Sequence, residues 1–300
     1  MPALGDSMSK EASYERYRSF YNADDPARWG REDMPEEREV TEGWMRFVGI
    51  GDSTPSVILE LGCGVGALSR IHPGYIGLDF SFPALKKFRT PAKRINGNME
   101  VIPLRDESVD FIFSWAAIEH VPHPEKALVE IERLLKPTGV AVLRPAWNVR
   151  PWAAKALPIR RYSELNWFER IGKATIPIRN NLAWRGLLAM PRRFVREFKF
   201  LRRVPVEFEF RRLNPTHDRY TYTDCDAFTS MDPHAAIVYF ITRGWRVLSH
   251  RSVMSRLLCR HEPVVVQKPA ACQVENSLPP GIPSGSCAAI PRAEVAVDSR

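Results

Sequence analysis

A glycine-rich turn directly after a short apolar run is the feature that most constrains the fold of this chain. The apolar run covers residues 57–61 and is followed at once by Gly62, Gly64 and Gly66. A run this short predicts a buried strand, and glycines allow a tight turn that brings the backbone close to a ligand. A helix is expected to begin near Ala67, where its exposed amides suit an electron-rich group. The segment predicts a strand–turn–helix unit with a ligand at the turn.

Short apolar runs alternate with amphipathic segments on both sides of this turn. Strands are predicted at 75–78, 93–96, 109–115, 140–143, 245–249 and 263–267. Helices are predicted at 11–21, from Pro35 to about Val48, from the capping residue Ser81 to about Phe88, at 124–135 and at 233–242. This alternation predicts an α/β fold, with a parallel sheet covered by helices on both faces.

The end of the second predicted strand carries an acidic residue, Asp79. A carboxylate at this place lies beside the glycine turn and can accept hydrogen bonds from both ribose hydroxyls. The spacing Gly62-x-Gly64-x-x-Ala67 also satisfies the dinucleotide fingerprint, so a nicotinamide-dependent oxidoreductase stays open at this point. A purely structural turn is the weaker interpretation, because three glycines in five residues are costly unless a ligand or close packing requires them.

Four segments, two of which contain the glycine turn and Asp79, together resemble one family. The segments are ELGCGVG, YIGLDFS, INGNMEVIPLRDESVDFIFS and AAIEHVPHPEKALVEIERLLKPTGVAVL. Their order and spacing resemble the core of class I S-adenosylmethionine-dependent methyltransferases, of the small-molecule type 11 kind. The resemblance covers residues 57–143. It implies a Rossmann-like, seven-stranded methyltransferase sheet, to which this chain adds an N-terminal helical cap and a large inserted lid.

The resemblance also implies a cofactor site for S-adenosyl-L-methionine. The residues it assigns to that site are Glu60, Gly62, Gly64, Gly66, Asp79, Phe80, Asn98, Met99 and Ser114, with Trp115 as the alternative to Ser114. Glu60 would contact the methionine end, Asp79 the ribose and Phe80 the adenine. Asn98 and Met99 would recognise the adenine, and Asn98 replaces the Asp that is usual in the family.

His120 is the best candidate for a catalytic base, since it follows the fourth predicted strand, where the family's pocket opens. Methyl transfer needs an aligned nucleophile and often the removal of its proton. A structural role in shaping the loop is the more ordinary interpretation of this histidine. An E-x-x-E-H metal motif is incomplete here, because Ala116 stands at its first position. No metal is therefore expected.

An unusually basic segment interrupts the α/β pattern after the fifth predicted strand. Residues 144–222 hold 18 Lys and Arg against 6 Asp and Glu, whereas the whole chain has a net charge of +8. The first interpretation is an amphipathic helix at 191–213, packed on the core with its charges in water, although VEFEF could be a strand. The second is a lid for an anionic or lipid-linked acceptor with peripheral membrane contact. Nucleic acid ranks third and is not expected.

These observations predict five regions. They are an N-terminal helical cap at 1–56, a cofactor-binding core at 57–143, a basic aromatic lid at 144–228, the closing helix and strands of the core at 229–268, and a disordered tail at 269–300. The five cysteines form no C-x-x-C pair, and no secretory signal or spanning run is visible, so a cytoplasmic protein is expected.

The predicted activity is methyl transfer from S-adenosyl-L-methionine to a small-molecule or glycan-like acceptor, most often at oxygen. The alternatives are a nicotinamide-dependent oxidoreductase and a catalytically inactive scaffold with the same fold.

Overall fold

A computed structural model describes most of the 300 residues. The described residues are 15, 18–23, 30–88, 90–201, 206–215 and 224–270. Most of the predicted N-terminal helix at 11–21 lies outside them, as do all but two residues of the tail predicted at 269–300. Cys272 and Cys287 lie outside them as well.

A seven-stranded, mostly parallel sheet forms the centre of the molecule. Its strands are β1 (Ile58–Leu61), β2 (Tyr75–Asp79), β3 (Lys93–Asn96), β4 (Val109–Trp115), β5 (Leu135–Arg144), β8 (Arg246–Val247) and β9 (Val264–Gln267). Their order across the sheet is β3-β2-β1-β4-β5-β9-β8, and β9 runs antiparallel to both of its neighbours. The predicted α/β, Rossmann-like sheet of seven strands is confirmed.

The central strands are buried on both faces, which explains why they appear in the sequence as short, continuous apolar runs. Every residue of β1 is buried, and Phe111, Ile112 and Phe113 of β4 are fully inaccessible. The strand order reverses between β1 and β4, with β2 on one side and β5 on the other. In an open parallel sheet, such a reversal opens a crevice at the carboxyl ends of the strands, where ligands bind.

Helices cover the sheet and fill the segment after β5. They are α1 (Pro35–Phe47), α2 (Phe82–Lys86), α3 (Pro124–Leu134), α4 (Pro151–Ala154), α5 (Trp167–Ala174), α6 (Ile176–Asn180), α7 (Leu182–Leu201), α8 (Pro233–Ile241) and α9 (Val253–Leu258). The face of α3 predicted to be apolar is indeed buried, with Ala127 and Ile131 fully inaccessible. Ser81 caps α2 as expected, because its side chain accepts a hydrogen bond from the Ala84 amide.

The helix predicted after Gly66 is wrong. Residues 64–70 form consecutive turns, in which the Ser69 amide donates to the Gly66 carbonyl and the Ile71 amide to the Leu68 carbonyl. Gly66 has a φ of +81°, which is incompatible with a helix, and Pro73 follows within two turns.

In the described residues, the segment between β5 and α8 contains four α-helices and a separate two-stranded sheet. In that sheet β6 (Phe210–Arg212) pairs antiparallel with β7 (Thr229–Met231). The predicted helix at 191–213 therefore ends early, at Leu201, and only the last residue of VEFEF enters a strand. No helix among the described residues has both the length and the apolar content that a membrane span requires.

Candidate active site

The three glycines of the turn after β1 all have positive φ angles, of +79° at Gly62, +52° at Gly64 and +81° at Gly66. A Cβ atom at Gly62 would lie 2.3 Å from the Cβ of Ala117, and one at Gly66 would lie 2.4 Å from the ring of Phe88. Two of the glycines are thus required by close packing as well as by backbone conformation. The packing holds the turn in one shape at the edge of the crevice.

Asp79 ties the end of β2 to this turn. Its Oδ2 atom accepts a hydrogen bond of 2.7 Å from the Gly64 amide, and its Oδ1 atom accepts one of 2.7 Å from the Ser81 amide. Burial raises the pKa of Asp79 above its ordinary value, while these two hydrogen bonds oppose the shift. Each carboxylate oxygen can accept a second hydrogen bond, so the same group can still receive the hydroxyls of a ribose.

Glu60 is buried beneath the turn, where the hydroxyl of Tyr75 donates a hydrogen bond to its Oε2 atom. Burial raises the pKa of Glu60 to about 8, and the hydrogen bond from Tyr75 opposes that shift. The carboxyl group is therefore mostly protonated at neutral pH, and a nearby positive charge would favour its ionised form. The amino group and sulfonium of S-adenosylmethionine are positive charges of this kind.

Met99, Asn98 and Phe80 are the next predicted cofactor residues, and they differ in burial and in their contacts. Met99 is buried, and its Cε atom lies 3.9 Å from the position of a Cβ at Gly62. Asn98 begins the turn after β3, and its Oδ1 atom accepts a hydrogen bond of 2.9 Å from the Glu100 amide. Phe80 is half-buried directly after Asp79.

Ser114 and Trp115 are held by hydrogen bonds within the protein. The Ser114 hydroxyl is fully buried and donates to the Leu61 carbonyl at 2.9 Å, which ties β4 to the end of β1. The Trp115 indole donates to the Thr41 hydroxyl of α1 at 3.0 Å. Both side chains thus join β4 to neighbouring elements.

His120 lies in a short 3₁₀ turn, Ile118–His120, just beyond the end of β4. Its Nδ1 atom is 3.5 Å from the Oδ2 atom of Asp226, and its Nε2 atom is 3.7 Å from the Oε1 atom of Glu119. Burial lowers the pKa of His120, but the negative charges of Asp226 and Glu119 outweigh it and raise the pKa above its ordinary value. About one-fifth of the side chain is exposed, so the ring is shielded but still reachable.

Two residues beside His120 were missed by the sequence analysis. Tyr21 donates a hydrogen bond of 2.8 Å from its hydroxyl to Asp226, and its ring meets the His120 ring edge-on at a centroid distance of 5.9 Å. Tyr21 and Asp226 are separated by 205 positions in sequence and belong to no motif. The cluster of aromatic residues near Tyr21 is the only sequence signal that could have drawn attention to it.

Glu119 holds the segment that follows β5 next to His120. Its Oε1 atom accepts a hydrogen bond from the Ala146 amide at 2.9 Å, and its carbonyl accepts one from the Phe228 amide at 2.9 Å. Both ends of the inserted segment are thereby fixed next to His120. No group of three or more His, Cys, Asp or Glu side chains in the part of the chain described above is placed to hold a metal ion.

The residues present fit S-adenosylmethionine. Asp79, at the end of β2, can accept further hydrogen bonds, and backbone amides lie in the turn beside it. A cation near Glu60 would favour the ionised form of its carboxyl group. The hydrogen bond from Gly64 to Asp79 links the turn and the carboxylate, so one ligand can touch both.

A profile of the methyltransferase-domain family matches residues 59–143, which contain this turn, Asp79 and His120. Residues 59–143 are therefore similar to a methyltransferase domain. Two curated relatives agree with this assignment. The chain is 34% identical over 123 residues to a phthiotriol/phenolphthiotriol dimycocerosates methyltransferase of Mycobacterium tuberculosis, covering 36% of this chain and 46% of that one. It is 34% identical over 101 residues to a malonyl-[acyl-carrier protein] O-methyltransferase of Dechloromonas aromatica, covering 32% and 38%.

The chain thus spans less than half the length of these curated relatives. Among solved structures, a crystal structure of a protein provisionally described as an S-adenosyl-L-methionine-dependent methyltransferase from Methanococcus maripaludis is similar over 90% of this chain and 97% of that one. The sequence identity is 14% and the TM-score is 0.39. The strand order of the sheet itself establishes the fold.

Proposed function

We propose that this protein transfers a methyl group from S-adenosyl-L-methionine to an acceptor oxygen. The observation that carries the proposal is the link between the glycine turn and Asp79 at the strand-order reversal, inside the segment that matches the methyltransferase-domain family. The cofactor-binding residues are those of the crevice, with Asp79 for the ribose and Glu60 for the positively charged methionine end. S-Adenosylmethionine supplies an electrophilic methyl group, so the protein must position the acceptor and accept its proton.

His120 is the proposed base. Its shielded ring stands where the fourth strand opens into the crevice, and Asp226 stabilises the protonated ring that would form on proton transfer. Tyr21 in turn holds Asp226 by a hydrogen bond. This arrangement resembles the general pattern of a base that is oriented by a carboxylate.

The acceptor is proposed to be a small molecule that carries a lipid-like or glycan-like group. The two relatives are named for acceptors of different kinds, a phthiotriol-type lipid and an acyl group on a carrier protein. Methylation at a hydroxyl oxygen is favoured because a hydroxyl acceptor loses its proton when it is methylated, and a base such as His120 can take that proton.

The test is a comparison of metabolites and lipids from cells with and without the gene by mass spectrometry. Compounds that lose one CH₂ unit when the gene is deleted are the candidate acceptors, and purified protein must then methylate them with S-adenosylmethionine. Asp79→Ala is expected to raise the KM for S-adenosylmethionine at least about tenfold by weakening cofactor binding, while His120→Gln is expected to lower kcat with cofactor binding unchanged. Reaction only with a nicotinamide cofactor would support the oxidoreductase, and cofactor binding without any turnover would support the scaffold.

A further inference from the structure

The longest helix of the inserted segment, α7, presents its charged side chains to the protein and its apolar side chains to the outside. Arg193, Arg196 and Glu197 are all buried, with exposures of 5%, 6% and 4%. Phe194 and Val195, which lie between them in sequence, are 57% and 55% exposed. This is the reverse of the usual surface helix, whose apolar stripe faces the core.

Ion pairs hold this inverted helix in place. Arg193 and Arg196 both bind Asp232, at 2.7 Å and 2.9 Å. Glu197 accepts two hydrogen bonds of 2.8 Å from Arg256 of α9. Because buried charges must keep their partners, rotating α7 to bury its apolar face would cost several ion pairs. The outward orientation of the apolar residues is therefore built into the fold.

The outer face of α7 consists of its exposed apolar side chains and one basic border. The apolar residues are Leu188, Phe194, Val195, Phe198 and Leu201. At 3.6 residues per turn they cover an arc of about 140°. Arg192 and Lys199, both exposed, lie side by side along one edge of this arc. An apolar face bordered by basic residues is the pattern of helices that lie in a membrane interface.

A cavity of about 620 Å³ opens beside the same basic border. Arg192 of the basic border and Leu188 of the apolar face also line this cavity. Seven arginines line the cavity: Arg150, Arg179, Arg192, Arg193, Arg196, Arg211 and Arg260. Its two carboxylates, Glu209 and Asp232, are bound by Arg196 and Arg193. The cavity therefore keeps a large positive excess, which suits a phosphate group.

We propose that the outer face of α7 docks on an anionic lipid bilayer and that the arginine-lined cavity receives a headgroup phosphate. The apolar side chains enter the interface, while Arg192 and Lys199 meet the anionic headgroups. Charge complementarity decides between a bilayer and a second copy of this chain, because two copies would bring two arginine-rich surfaces together. Trp167 and Phe168 of α5 are exposed as well. This proposal goes beyond methyl transfer and does not depend on it.

The test is co-sedimentation of the full chain with vesicles of phosphatidylcholine, with and without phosphatidylglycerol. We expect binding to the anionic vesicles and at least about tenfold weaker binding to pure phosphatidylcholine. Phe194→Ser with Val195→Ser should weaken binding to anionic vesicles at least about tenfold. The matched control is Phe47→Ser with Val129→Ser, whose side chains are equally exposed, at 58% and 54%, but lie elsewhere. The control should bind as the unchanged protein does.

Charge reversal tests the basic border separately. Arg192→Glu with Lys199→Glu should abolish the preference for anionic vesicles, whereas Lys93→Glu with Lys126→Glu, which makes the same change in net charge on other exposed positions, should leave the preference nearly intact. Thermal unfolding of each variant confirms that it is folded.

Arg211→Gln with Arg260→Gln, at two cavity arginines, tests the headgroup site. We expect weaker binding to anionic vesicles, and we expect millimolar inorganic phosphate to compete only weakly, because it lacks the apolar contacts. Complete competition by phosphate would show a site for a free anion and overturn the proposal. The proposal would also be overturned if the protein bound both vesicle types equally, or if each control pair lost as much vesicle binding as its matched variant. A dimer that dissociates in the Phe194→Ser, Val195→Ser variant, with no vesicle binding by the unchanged protein, would overturn it as well. S-Adenosylhomocysteine binding, measured in parallel, reports on the proposed methyl transfer independently.

Discussion

Replacement of Asp232 should strongly destabilise the protein, because this carboxylate is the hub that orients α7. Its two oxygens bind Arg193 at 2.7 Å and 3.2 Å and Arg196 at 2.9 Å. It also caps α8 by accepting a hydrogen bond of 3.1 Å from the His234 amide. In Asp232→Ala, the hydrogen bond to the Leu257 carbonyl is what Arg193 keeps of its contacts with the described residues.

The expected magnitude follows from these contacts. Removing one partner of a buried ion pair costs about 3–5 kcal/mol, because a buried charge is left uncompensated. Loss of the helix cap adds about 1 kcal/mol. Arg196 keeps Glu209 as a partner, which places the expected total near the lower end, at about 4 kcal/mol. For a chain of this size, the Tm should fall by roughly 8–16 °C.

Urea unfolding followed by circular dichroism measures this change, with Asp232→Asn as the matched control. An asparagine side chain at this position could still cap α8, so that variant should lose the charge pairing alone and fall between Asp232→Ala and the unchanged protein. Burial raises the pKa of Asp232, but Arg193 and Arg196 outweigh it and hold the pKa below its ordinary value. The stabilisation is therefore present above the pKa of the unfolded chain and is lost as the pH falls below it. A loss of less than about 1 kcal/mol in Asp232→Ala would refute the idea that ion pairs fix the orientation of α7.

Three further changes test the active site. Gly66→Ala should unfold or markedly destabilise the turn, by about 2–4 kcal/mol in chemical denaturation, because its Cβ would lie 2.4 Å from the Phe88 ring at a φ of +81°; near-neutral behaviour would show that the turn can move. In the unchanged protein, the free energy of unfolding should fall as the pH rises from about 4.5 to about 8, because folded Glu60 keeps a proton that the unfolded chain releases in that window. Glu60→Gln should remove this pH dependence, which unfolding curves at several pH values measure. The same dependence of the free energy of unfolding on pH in both proteins would contradict the raised pKa. Asp226→Asn should lower the pKa of His120 and shift the acid limb of the kcat/KM profile to lower pH, which an NMR titration of the ring checks directly; an unmoved titration would remove Asp226 from its proposed role.

The sheet could be predicted from the sequence because its signals are local, and the same local signals placed the glycine turn beside Asp79. A strand buried on both faces is a short apolar run, and the amphipathic α3 repeats its apolar residues at helical spacing. The turn after Gly66 was wrongly predicted as a helix because its conformation depends on the Phe88 ring packed against it, which lies 22 positions away.

The orientation of α7 could not be predicted for a similar reason. Its sequence shows two faces, but only tertiary contacts decide which one turns inward. The partners that draw its charges inward, Asp232 and Arg256, lie 36 or more positions away from the arginines and the glutamate that they bind. Arg192, Arg193, Arg202 and Arg203 appear equivalent in sequence, yet Arg193 is committed to Asp232 and Arg192 is exposed. Arg202 and Arg203 lie outside the described residues.

Similar long-range contacts explain the surroundings of His120. Tyr21 and Asp226 are 205 positions apart in the sequence, and only their tertiary contact brings both of them beside His120. His120 itself was identified through its place in a family motif. Its candidacy as a base gains physical support from the carboxylates that the fold brings to it.

Isothermal titration calorimetry with S-adenosylhomocysteine tests the central claim, that the crevice at Asp79 binds this cofactor, most directly. Loss of charge-assisted hydrogen bonds, each worth about 1.5–3 kcal/mol, predicts binding by the unchanged protein and an affinity at least about tenfold lower in Asp79→Ala, with the Tm of the unliganded protein largely maintained. NADH should give no heat of binding. Binding of NADH with no response to S-adenosylhomocysteine, or an affinity unaffected by Asp79→Ala, would contradict the account.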